Sequence, residues 1–186
     1  MAGVGFGPPQ RSRSGRTGAV SMEMLQSWLA KLGAGVLVEL DTDQATVSGV
    51  ELTIDWDLAT SDTHGFWTAT DPDVLTVPKG LDGVYIAGGV VAFQSDGTGS
   101  RRATLDALGV AGIPISTEKR QVTVAAVSGV RTDVPVPSPR LYLSAGDQVS
   151  IGARQNSTSA LDLQGNQNTW FSLTRVGDLP REARVL

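Results

Sequence analysis

The chain has 186 residues, 22 of them glycine, with charged residues at 18% and a formal net charge of −4. Its length suits one domain with a short appendage, and its acidic balance opposes a nucleic-acid clamp, because phosphate binding needs a basic field. With no cysteine and one histidine, disulfide scaffolds, thiolate zinc sites, cysteine nucleophiles and multi-histidine metal centres are excluded.

Residues 1–20 hold five glycines, two prolines and three arginines (Arg11, Arg13 and Arg16), with no acidic residue. So little apolar surface does not offset the entropy of ordering, so this segment reads as an extended basic arm with Phe6 as its one aromatic group. Its charge of +3 leaves −7 for the rest of the chain, a split suited to tying onto an acidic partner surface. Three arginines without interleaved aromatics are a weak footprint for nucleic acid. The opening MAGVGFGPPQRSRSGRTG lacks the apolar core of a signal peptide. The longest apolar run, Val84 to Phe93, is about half a membrane span. The expectation is a chain made in the cytoplasm, neither secreted nor membrane-bound.

Over residues 21–33 the period is helical. Leu25, Trp28, Leu29 and Leu32 fall on one stripe, Ser21 can cap the first turn, and Gly33 is a natural stop. About three turns are marginal alone, so the stripe needs a surface: its own domain, sister subunits or a larger assembly.

From residue 34 onward the period is two, and residues 34–186 read as one β domain with a short C-terminal tail. Val50, Leu52, Ile54, Trp56 and Leu58 alternate with Glu51, Thr53, Asp55 and Asp57, predicting one half-buried strand. The same alternation marks strands around Val122–Ala126, Val149–Ala153 and Trp170–Val176. The Val84–Phe93 run is apolar on both faces and therefore predicts cover on both sides. Turn-forming clusters separate the runs at Thr60–His64, Asp71–Pro72, Pro78–Gly83, Asp96–Gly99, Ala145–Asp147, Asn156–Ser159 and Gly165–Asn168. Many short strands without intervening helices indicate a β-sandwich or barrel.

The order of the motifs adds a resemblance. VLTVPKGLDGVYIAGGVVAF (Val74–Phe93) carries a strand ending in Pro, a glycine turn, Gly-x-Tyr and a long apolar strand. TGSRRATL follows from Thr98, then LYLSAGDQVSIGARQNS (Leu141–Ser157) and a closing strand WFSLTRVG (Trp170–Gly177). Together they resemble the jelly roll of the tumour necrosis factor family and of the globular head of complement component one subcomponent q, particularly the version in bacteriophage tail and head-fibre proteins. The resemblance covers about residues 46–177. It implies an all-β jelly roll of about ten strands and a tight homotrimer, with no active site. Trimerisation would supply the second cover for the Val84–Phe93 strand, and Tyr85, Val91 and Phe93 are the interface candidates. The absence of a collagen stalk favours the phage branch.

Reactive chemistry is sparse. His64 lies in a polar turn, SDTHGFW, and no Gly-x-Ser-x-Gly elbow exists to complete a catalytic triad. Ser116-Thr-Glu-Lys119 matches a Ser-x-x-Lys pattern without its companion motifs. Asp55 and Asp57 share one strand face, near Asp62, Asp71 and Asp73; such carboxylates could serve a glycosidase or calcium, although no calcium-loop signature is present. The loops with Asn156, Gln164, Asn166 and Asn168 beside Trp170 are candidate ligand-facing surfaces, able to bond a sugar through amides.

The resulting expectation is a non-enzymatic virion component without metal or cofactor. It would be a trimeric jelly roll, placed as a minor tail or tail-tip protein, with capsid decoration or head fibre as the alternative. Phe6, Arg11, Arg13, Arg16, Leu25, Trp28, Leu29 and Leu32 would anchor it to other tail or capsid proteins. A host-surface glycan-binding module is the rival reading.

Overall fold

The computed structural model describes residue 31, residues 33–110, residue 115 and residues 120–179. The arm residues Phe6, Arg11, Arg13 and Arg16, the stripe Leu25, Trp28, Leu29 and Leu32, and the Ser116–Lys119 pattern lie outside them.

Among the described residues thirteen strands alternate with turns: β1 (Gly35–Glu39), β2 (Gln44–Thr46), β3 (Glu51–Thr53), β4 (Leu58–Asp62), β5 (Leu75–Thr76), β6 (Gly83–Phe93), β7 (Ser100–Leu108), β8 (Arg120–Ala125), β9 (Thr132–Pro135), β10 (Arg140–Leu143), β11 (Gln148–Gln155), β12 (Leu161–Leu163) and β13 (Trp170–Gly177). All pair antiparallel in two sheets. The larger runs β2-β12-β6-β13-β1-β4, with β9 and β10 also paired to β6; the smaller runs β3-β11-β7-β8, with β5 beside β11. The chain is an all-β jelly-roll sandwich.

The eleven residues of β6 organise the larger sheet. One edge holds β13 from Val84 to Val90, and the other holds β10 at Gly83–Ile86 and β9 at Val90–Phe93. Between the sheets lies one apolar core. Val36, Val38, Tyr85, Ala87, Val91, Phe93, Phe171 and Leu173 enter it from the larger sheet, and Ala103, Leu105, Val149 and Ile151 from the smaller. Trp56 stacks on Phe171 at 6.3 Å, and Phe66 meets Tyr85 edge-on at 6.1 Å, both geometries that aromatic quadrupoles favour.

The alternating stretch from Val50 to Leu58 is not one strand. Glu51–Thr53 pairs with β11 in the smaller sheet, and Leu58–Asp62 pairs with β1 in the larger. Residues 54–57 cross between the layers. Ile54 and Trp56 stay buried on the way, their backbone N–H groups donating to the carbonyls of Ile151 and Pro72. Burial therefore alternates across a break in pairing, because both sheets face the same core. Thr60–Asp62, expected in a turn, belongs to β4; the turn begins at Thr63.

Candidate functional site

The outward face of the larger sheet carries exposed apolar groups on adjacent strands, interspersed with polar ones. Register places Gly35, Thr174, Ile86 and Arg140 in one row and Leu37, Ser172 and Gly88 in the next. Glu39, Trp170, Val90 and Pro135 form a third row, and Tyr142 lies opposite Val84. Ile86 is 44% exposed, Tyr142 48% and Val176 46%, high values for large apolar groups on three neighbouring strands. Beside them a shallow groove of about 330 Å³ runs along β1 and β13, lined by Leu37, Trp170, Ser172 and Thr174 together with Ser61 and Thr63.

This placement corrects the interface candidates. Tyr85, Val91 and Phe93 are each fully buried in the chain's own core. Residues of odd number on β6 point inward, so the face available to a partner carries Val84, Ile86, Gly88 and Val90. A strand apolar on both sides gives no sign of which parity is core. The signal lay in its neighbours: Arg140 and Thr174, both exposed, flank Ile86. Tyr85 is held further by its hydroxyl, which donates to the Leu81 carbonyl at 2.5 Å, and burial pushes its pKa up to about 12.

Of the carboxylates weighed for catalysis or calcium, Asp57 and Asp62 are engaged as local fasteners. Asp62 Oδ1 accepts the backbone N–H groups of His64, Gly65 and Phe66 at 3.2, 2.8 and 3.0 Å, and Oδ2 accepts that of Trp67 at 3.0 Å. Burial pushes its carboxyl up, but these four donors outweigh that and hold it below its ordinary value. Asp57 is similar. Burial opposes its charge, while the Thr42 hydroxyl and the N–H groups of Asp41 and Thr42 favour it and lower its pKa. Asp55 meets Gln44, not Asp57. His64 is exposed, with Nδ1 2.7 Å from Thr63 Oγ1. Among the described residues no group of three or more His, Cys, Asp or Glu could hold a metal ion, and no helix is long and apolar enough to cross a membrane.

The amide-rich loops form two separate clusters. Asn156 accepts from the Ser100 N–H at 2.5 Å through Oδ1. Gln164, Asn166 and Asn168 belong to the β12–β13 connection, where Asn166 and Gln167 adopt positive φ and the backbone bonds to Leu40 and Asp41. Asn168 donates to the Gly165 carbonyl and accepts from Arg131. No hydrogen bond joins Asn156 to the other three. A buried cation was not anticipated: Arg101, fully buried, donates to the carbonyls of Asp96, Thr98 and Ser100 and lies 6.0 Å over the Phe93 ring. It ties the Asp96–Gly99 turn to the core.

No protein-family model and no curated protein matches the sequence. Solved structures do match the fold. The globular domain of zebrafish complement 1qA protein aligns with a TM-score of 0.57 at 13% identity, covering 79% of this chain and 99% of that one. Murine APRIL at pH 5.0 gives 0.55 at 13% identity over 77% and 99%. Eiger TNF from S. frugiperda gives 0.54 at 14% identity over 80% and 96%. The chain thus has a jelly roll of the tumour necrosis factor and complement 1q type. At these identities the likeness is one of fold.

Proposed function

We propose that the chain is a non-enzymatic assembly module whose jelly roll associates with two further copies of itself through the outward face of the larger sheet. The observation that carries this reading is the exposed set Ile86, Tyr142 and Val176 on β6, β10 and β13, with Ile86 opposite Thr174 of the groove that Leu37 and Trp170 also line. Covering such a patch gains hydrophobic free energy that no segment among the described residues supplies. A second copy is the chosen occupant because the fold likeness agrees with the homotrimer that the sequence resemblance implies. Three copies around an axis also bring the face of each subunit against its neighbours in a closed arrangement.

In this proposal the trimer is a structural component of a bacteriophage virion, a minor tail or tail-tip protein. The +3 arm of residues 1–20 and the stripe of residues 21–33 tie it to an acidic surface of neighbouring virion proteins. Support comes from the motif order of the sequence and from the charge split between arm and body. The test compares the full chain with a variant lacking residues 1–20 in particle assembly. The expected variant is a folded trimer that fails to join particles; an unfolded variant, or one incorporated normally, contradicts the anchoring role. Electron microscopy of the parent particle should then show a three-fold knob of three chains at the tail.

A further inference from the structure

Two arginines stand side by side on the outward face of the smaller sheet. Register pairs Arg154 with Arg102 across β11 and β7, with Glu51 on the far side of Arg154 and Thr123 on the far side of Arg102. Like charges directly opposite each other on a sheet face repel. Glu51 relieves one of them only. Its Oε2 accepts from Arg102 at 2.7 Å, the strand beyond its direct neighbour. Gly152 makes this reach possible: a Cβ there would lie 2.9 Å from Glu51 Oε1. Among the described residues Arg154 has no hydrogen-bond or ion-pair partner. Arg102 keeps a buried Nε–H with no acceptor.

Arg102, Thr123 and Arg154 line an open depression of about 230 Å³, completed by Ser100, Gln155 and Asn156. The row Glu51, Arg154, Arg102 sums to one positive charge, which a single oxyanion neutralises. Arg102 Nε is buried, so the donors suited to the oxygens of such an anion are Nη1 of Arg102, which bonds no group among the described residues, and the guanidinium of Arg154. Around them the Thr123 hydroxyl and the amide N–H₂ of Asn156 have no partner among the described residues, and both suit neutral hydroxyls. Among the described residues no aromatic side chain lines the depression, so these residues offer a neutral sugar ring no stacking platform, and charge is what they offer a ligand.

We propose that this depression binds a monoanionic saccharide, its carboxylate or sulfate ester held between Arg102 and Arg154 and its hydroxyls by Thr123 and Asn156. The site lies on the opposite sheet from the self-association face and does not depend on it.

Calorimetric titration of the full chain tests this with three probes: a glucuronate-containing oligosaccharide, its neutral glucose counterpart and a sulfated counterpart. Binding of one or both charged probes, with none of the neutral one, is expected, and the stronger of the two identifies the oxyanion. Arg154→Gln removes a side chain that holds no other group, so its melting temperature should match the parent while binding weakens about tenfold or more. Arg102→Gln should act in the same direction. Arg131→Gln, which removes a cation paired with Asp133 elsewhere, should leave binding unchanged. Equal binding of the neutral probe, equal loss in Arg131→Gln, unchanged affinity in Arg154→Gln, or no binding of any probe at millimolar concentration each overturns the proposal. Oligomeric state, read separately, reports on the assembly proposal alone.

Discussion

On the larger sheet the outward positions of β6 and β10 include Ile86 and Tyr142, with Val176 beside them in a bulge of β13. On the smaller sheet the outward positions of β7, β8 and β11 include Arg102, Thr123 and Arg154. Both sheets bury their other face in the same core, so folding alone places no demand on either exterior. The difference between them therefore reports on what each exterior meets. An apolar exterior is stabilised by being covered with matching surface, whereas a charged and hydroxyl-rich one is solvated when free and can accept a small polar ligand.

The contrast between faces of one strand is expected to have the largest effect. Val91→Asp buries a charge among Val134, Phe93 and their neighbours and should destabilise the fold by about 4 kcal/mol or more, read by urea unfolding. Loss of association with a fully stable fold would return Val91 to an interface. Phe171→Ala, which removes the ring stacked on Trp56, should cost about 3–5 kcal/mol in the same assay.

Next to Ser61 and Thr63, which line the groove, Asp62 fixes the turn from Thr63 to Trp67. Asp62→Ala leaves up to four backbone donors without their acceptor and should cost about 1–3 kcal/mol. Because the folded carboxyl lies below its ordinary value of 3.8, its contribution is present above that value and lost as pH falls through the lower folded one. Asp57 behaves alike. Acid unfolding of Asp62→Ala should therefore be less steep than that of the parent, and an unchanged profile would remove the turn from this account.

Tyr85→Phe has the smallest expected effect, about 1 kcal/mol, from loss of the bond to the Leu81 carbonyl. Its sign with pH is opposite to that of Asp62. The folded hydroxyl titrates at about 12 rather than 10.0, so native stability should fall as pH rises from about 10 toward 12. That alkaline loss should vanish in the variant, as followed by fluorescence.

The alternating runs of β11 and β13 and the continuous apolar run of β6 each marked their strand to within a residue or two. The crossing at residues 54–57 was hidden because Ile54 and Trp56 face one core from whichever sheet carries them. The parity of β6 was hidden because Val84, Ile86 and Val90 are as apolar as Tyr85, Val91 and Phe93. The role of Asp62 depends on a turn that aims four N–H groups at one carboxylate, and composition carries no trace of such aim. Arg102 and Arg154 meet only through the register of β7 with β11, and Gly152 matters only because Glu51 passes over it.

The central claim is that the outward face of the larger sheet joins copies of the chain, and sedimentation equilibrium of the full chain beside Ile86→Glu tests it most directly. The parent should sediment as three chains. The variant should sediment as one, with a fold whose unfolding free energy stays within about 0.5 kcal/mol of that of the isolated parent subunit. A parent that remains monomeric at micromolar concentration, or a variant that still forms the trimer, would contradict the account.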